Sequence, residues 1–212
     1  GTVDALCMGL GGIVMSIDVT GPLGQKVKAE YGLVVQSRTA IIEISAAAGI
    51  TLVPDEQKNP LNTTTHGVGE IISDAIDRGC RDFIIGIGGS ATNDGGIGML
   101  QSLGFDILNK EGNPVSLGAK GLKEIHSISA NNANPLLKEC KFNIACDVTN
   151  PLCGTNGCSS VYGPQKGADG QMISQMDSWL SDYAELSKTV NPLADKNSSG
   201  AGAAGGLGFA FM

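Results

Sequence analysis

The run Ile87-Gly88-Gly89-Ser90-Ala91-Thr92-Asn93-Asp94-Gly95-Gly96 lies between an apolar strand-like segment and a helix-like one. In that setting, free backbone N–H groups and the positive end of the helix converge on a phosphate or a carboxylate. Gly88 and Gly89 let a ligand approach the backbone, Ser90, Thr92 and Asn93 add side-chain hydrogen bonds, and Asp94 is either a reacting carboxylate or an N-cap in a tight packing turn. No Gly-Lys-Ser/Thr follows, which excludes a P-loop. Gly86, Gly88 and Ala91 satisfy the G-x-G-x-x-A dinucleotide pattern, but Gly86 falls inside the strand and Asp106 inside another, where the ribose-binding acid should end one.

A second carboxylate sits in Ala145-Cys146-Asp147-Val148-Thr149-Asn150-Pro151-Leu152, at the end of an apolar run expected to form a buried, central strand over Ile144 to Val148. Asp147 could accept the proton of a substrate hydroxyl or hold a magnesium ion, and Thr149 and Asn150 could bind substrate oxygens; the alternative is an Asx turn. Asp147 is expected to open toward the same cleft as Asp94. In Gly163-Pro164-Gln165-Lys166-Gly167 a lysine stands between turn residues, placed to neutralise a phosphoryl group or merely solvated. Glu43 alternates with Ile42 and Ile44, as a binding carboxylate or a half-exposed strand residue, and His66 reads as a solvated or capping histidine. The six cysteines form no C-x-x-C pair and no Cys/His cluster, so reduced structural thiols are expected and no metal site is assigned to them.

Strands and helices must position these residues. Ile13 to Thr20, Val27 to Val35 and Thr39 to Ile44 read as strands, the first two joined by Gly21-Pro22-Leu23-Gly24, and Thr2 to Met8 as a short helix. Thr63, Thr64 and Thr65 are candidate N-caps of a helix ending near Gly79, followed by a strand at Phe83 to Ile87, a helix through Leu103 and a strand at Phe105 to Leu108. Met172, Ile173, Met176, Trp179, Leu180, Tyr183 and Leu186 recur at helical spacing, predicting a helix over Asp169 to Lys188 with Met and Trp in the core. Turns between the early strands and helices between the later ones predict an α/β domain with a mixed sheet, antiparallel in its N-terminal third.

The 212 residues form one domain or two small ones. Thirty-one glycines beside nine aromatics favour tight turns and argue against an aromatic-lined nucleic-acid surface. Fourteen basic against 21 acidic side chains, a net −7, offers no attraction to nucleic acid or an anionic membrane. No apolar run is long enough to span a bilayer and no basic n-region precedes one, so a cytoplasmic location is expected. The start at Gly1 and the end at Met212 in an apolar, glycine-rich stretch read as a piece of something longer.

Taken together, Val19 to Gly24, Ile42-Glu43-Ile44, Thr63 to Glu70, Gly86 to Gly96, Ala145 to Leu152, Gly163 to Ala168 and Gly200 to Gly206 resemble the type I bacterial glycerate kinase family. The resemblance implies phosphorylation of D-glycerate to phosphoglycerate with ATP and Mg²⁺. Such a reaction needs a carboxylate anchor, a base or orienting group and cations for the phosphoryl group, which the residues above could supply. It implies a fold similar to two α/β domains, one inserted into the other, with residues 1–212 a single domain, mainly the inserted one. The family's Asp-Ser-aromatic-Lys-Gly and Gly-Glu-Gly-Arg motifs do not occur here, so the chain alone is expected to be inactive. A non-catalytic anion-binding or regulatory module is the alternative, and a nicotinamide-dependent oxidoreductase a distant one.

Overall fold

The computed structural model describes Val3, Cys7 and residues 9–212; the helix expected over Thr2 to Met8 lies outside the described residues. Strands β1 (Ile13–Thr20) and β2 (Lys26–Val34) form an antiparallel hairpin. Its turn closes through Gly24 at φ 83°, a left-handed conformation open to glycine without strain. Strand β3 (Thr39–Glu43) pairs antiparallel with β2 after a short turn. The chain then makes a long crossover through helices α1 (Ser45–Ala48) and α2 (His66–Asp77) and enters β4 (Asp82–Gly86) parallel to β3. Helix α3 (Ile97–Ser102) leads to a small antiparallel pair, β5 (Asp106–Leu108) and β6 (Ser127–Ser129), before β7 (Lys141–Ala145) joins β4 in parallel. The five-stranded order β1-β2-β3-β4-β7 is the expected mixed sheet, flanked by helices.

Register explains the core. Ala40 pairs with Phe83 and Ile42 with Ile85, so these side chains share one face and meet Val68, Ile71, Ile72, Ala75 and Ile76 of α2. Each fully buried side chain of this size contributes roughly 1.5–3 kcal/mol. Among the described residues, the opposite face carries a smaller cluster of Val3, Val34 and Ile41 with Ile84 against it. A second core forms where α5 (Gly170–Ser187), capped by Asp169 accepting from Met172 N at 2.8 Å, packs Met176, Leu180 and Tyr183 on Ile97, Ile107 and Phe209. Met176 is thus core, as expected. Helix α4 (Cys158–Tyr162) precedes it and α6 (Ala203–Ala210) closes the chain.

The expected buried strand at Ile144 to Val148 is corrected. Strand β7 starts at Lys141 and ends at Ala145, because its ladder with β4 runs from Asp82↔Lys141 to Gly86↔Ala145 and stops where β4 stops. It pairs with β4 alone, at the sheet's edge among the described strands, with Lys141, Asn143 and Ala145 exposed. Asp106 belongs to the separate β5–β6 pair, which removes the ribose-binding acid from the dinucleotide pattern. No helix among the described residues is long and apolar enough to cross a membrane.

Candidate active site

The carboxyl ends of β3, β4 and β7 lie in register, Glu43 beside Gly86 and Gly86 beside Ala145. Ligands of open α/β sheets bind at this edge. Beyond it, Ile87 N donates to Ala145 O at 3.4 Å, Ile50 N to Gly89 O at 2.8 Å and Ala91 N to Ala48 O at 2.8 Å, pinning the chain on both sides of Gly88. Gly88 and Gly89 are exposed, and among the described residues their own N–H groups donate to nothing. A Cβ on Gly88 would meet no atom within 4 Å, so the space over this backbone is open.

Two adjoining cavities share Gly88, Gly89, Cys146 and Asp147 as a common wall. The larger, about 700 Å³, is completed by Ile41, Glu43, Ser45 and Gly86. The smaller, about 240 Å³, is completed by Ser90, Tyr162, Gln165 and Lys166. Asp147, two residues past β7, is exposed on the shared wall. Lys166 ends a single turn over Pro164–Lys166 that Gly167 terminates at φ 92°. Its residue is 2% exposed, and Nζ donates to Ser90 Oγ at 3.0 Å and Thr92 O at 2.6 Å. Burial pulls its pKa down to about 8, against the raising effect of the Cys158 thiol and the Asp94 carboxyl.

The structure divides the expected site residues. Glu43, Gly88, Gly89, Ser90, Asp147 and Lys166 come together around the two cavities. Asp94 does not, which corrects the expectation of a cleft shared with Asp147. It is fully buried, Oδ2 accepting from Thr65 N and Thr65 Oγ1 at 2.9 Å each and Oδ1 from Gly96 N at 3.1 Å, and the N–H of Gly98 also donates to it. Met99 N donates to Thr65 Oγ1 at 3.0 Å, so the threonine proton is directed at Asp94. Burial pushes this carboxyl's pKa up while the four donors hold it down. It ties down the backbone leading into α3, whose N-cap is Gly96, and the residues at the start of that helix are buried. Thr92 and Asn93 are also fully buried: Asn93 Nδ2 donates to Ser159 Oγ at 2.8 Å, while Thr92 offers its carbonyl to Lys166. Asn150 lines neither cavity; its Oδ1 accepts from Tyr162 OH at 2.8 Å and so braces a wall of the smaller one, while Thr149 is exposed outside both.

His66 opens α2 with Nε2 at 3.7 Å from Glu70 Oε1, away from both cavities. All six cysteines are free, but Cys146 is exposed on the shared wall, which corrects its reading as a structural thiol. Ser45, Tyr162 and Gln165 line the cavities, although residue type and spacing give none of them a role. The last two are near neighbours of Lys166, and scanning outward from that lysine would have found them.

A family model described as the glycerate kinase family matches residues 1–212. The chain is 48% identical to the glycerate 2-kinase of Escherichia coli and 44% to the glycerate kinase of Bacillus subtilis, covering in each case 100% of this chain and 56% of the relative. A crystal structure of a protein assigned as glycerate kinase 2 of Salmonella typhimurium superposes with a TM-score of 0.96 at 46% identity, covering 98% of this chain and 56% of that one. The chain therefore spans little more than half the length of the relatives it matches.

Proposed function

The chain belongs to the glycerate kinase family, and from that premise we propose that the protein containing it transfers the γ-phosphoryl group of ATP to a hydroxyl of D-glycerate. The observation that carries the reading is the meeting of Asp147, the open Gly88-Gly89 backbone and Lys166 on two adjoining cavities. ATP, with Mg²⁺, supplies the phosphoryl group when bound. The residues fit that requirement: Gly88 and Gly89 are exposed, a Cβ on Gly88 would meet no atom within 4 Å, and Glu43 offers the hard oxygen donor that magnesium takes. Ser90 stays bound to Lys166 and orients it.

In this reading Asp147 takes the proton of the acceptor hydroxyl, the freed oxygen bonds to phosphorus, and ADP carries away the electrons of the broken P–O bond. Gly88 and Gly89 hold anionic oxygens by their N–H groups, and Asn150 acts through Tyr162 rather than on substrate. Residues 1–212 constitute one α/β unit of a longer two-domain enzyme, and the rest of that enzyme is its partner in catalysis; a cytoplasmic location accords with the reaction. The test is a coupled ADP-release assay on the complete gene product. Turnover that requires D-glycerate, ATP and Mg²⁺ together is expected. Glycerate binding without turnover would establish an anion-binding module instead.

A further inference from the structure

Lys166 is an ammonium with almost no access to water and no carboxylate in direct contact, the buried Asp94 acting on it only at a distance. Two of its three N–H bonds go to neutral acceptors, Ser90 Oγ and Thr92 O, and among the described residues it forms no salt bridge. A buried cation in that state is stabilised by an anion brought to its remaining donor. Its residue lines the smaller cavity, whose 240 Å³ lies below the roughly 300–1,000 Å³ typical of pockets for drug-sized ligands. The 700 Å³ cavity falls inside that range and has the room for a nucleotide's phosphates. Asp147 stands on the wall between the two.

We propose that Lys166 is the residue that selects an acid as acceptor: it grips the carboxylate of a three-carbon hydroxy acid in the smaller cavity, and does not contact the transferred phosphoryl group. This assignment rests on the kinase reading and deepens it. Held by its carboxylate at Lys166, such an acid directs its hydroxyl end to Asp147 and the larger cavity. An ammonium held by two bonds suits a group that stays still during the reaction, whereas a phosphoryl group moves between donor and acceptor. The neutral alcohol or amide of the same skeleton would leave Lys166 buried and unpaired, and a site built around a polar group discriminates strongly against a ligand that cannot satisfy it.

The experiment measures equilibrium binding of D-glycerate, its neutral amide and a non-hydrolysable ATP analogue with Mg²⁺ to the complete gene product between pH 6.5 and 9.5. The groups that face Lys166 are Asp94 in the loop, Cys158 and Tyr162 on α4, and Asp147 across the cavity. Burial holds the Cys158 thiol near 11, so it stays uncharged through this range. Above pH 8 the lysine loses its proton, and glycerate affinity is expected to fall toward tenfold per pH unit, while the amide binds at least 100-fold more weakly than glycerate at pH 7 with no such fall. In Lys166→Met, glycerate affinity is expected to drop at least 100-fold, to that of the amide, with the ATP analogue unchanged within twofold. Loss of analogue binding with glycerate affinity intact, or glycerate binding equal to amide binding across the pH range, overturns the assignment. If the variant does not fold, the wild-type pH series decides. Failure of wild-type protein to bind glycerate at all would sink the kinase reading itself.

Discussion

Asp147 and Asp94 are the same residue type near turn-forming neighbours, and burial gives them opposite work. Asp147 is exposed on the cavity wall, so Asp147→Asn should lower turnover at least 100-fold while moving folding stability by no more than about 0.5 kcal/mol. Near-normal kinetics would make it a turn residue. Asp94 is fully buried with four donors aimed at it. In Asp94→Asn the new amide must turn N–H bonds toward N–H and O–H donors, at about 1–3 kcal/mol for each group left unsatisfied. A loss of at least about 3 kcal/mol in urea unfolding is expected, and a loss under 1 would show that the carboxylate is not what holds the loop. Lys166 has a folded pKa near 8 against an unfolded value of 10.5, so burial disfavours its charged form. The unfolded chain binds the extra proton between those values, and stability rises with pH across that window; below it the full penalty, about 3 kcal/mol, applies. Lys166→Met should therefore cost less than about 1 kcal/mol at pH 7, relief of the penalty offsetting two lost hydrogen bonds, and the wild type should gain on the variant as pH rises from 8 to 10.5. A difference that does not change with pH would contradict this.

Between elements, the position of Asp94 depends on how closely α2 and α3 approach. Gly69 in α2 faces Met99 O, which an added Cβ would meet at 2.5 Å, with Ser102 Cβ at 2.7 Å. This close packing lets Thr65, at the head of α2, accept from Met99 N and donate to Asp94. Alanine is the better helix former by about 1 kcal/mol, yet Gly69→Ala is expected to destabilise by about 1–3 kcal/mol, because the clash is with backbone. A lower urea midpoint at unchanged m-value is the signature, and increased stability would show that the helices can separate at no cost. The strand ends follow similar logic: β7 stops at Ala145 because β4 stops at Gly86, and this frees Cys146 and Asp147 to form a wall instead of a ladder.

For the whole molecule, both cores lie within the described residues, and the cavities lie along one edge of the sheet. Phosphoryl transfer depends on holding donor, metal and acceptor together. The relatives matched by this chain extend over nearly twice its length. Residues 1–212 alone are thus expected to unfold in one cooperative transition on heating and to release ADP at a negligible rate with ATP, Mg²⁺ and D-glycerate. Rates matching those of the complete gene product would show that this unit holds the whole active site.

The amino-acid sequence by itself determined the strands of the N-terminal hairpin, the long helix over α5, the mixed sheet and the open glycines, since alternation, helical spacing and turn residues are local properties. It also marked Asp147 and Lys166, which stand out by residue type next to turns. Only the tertiary structure decided that Asp94, Thr92 and Asn93 turn inward beneath the loop, that β7 lies at the edge, and that the acceptors nearest Lys166 are neutral. Those outcomes depend on strand register and helix approach between residues dozens of positions apart, and short-range patterns carry no information about which face of a loop such contacts will bury.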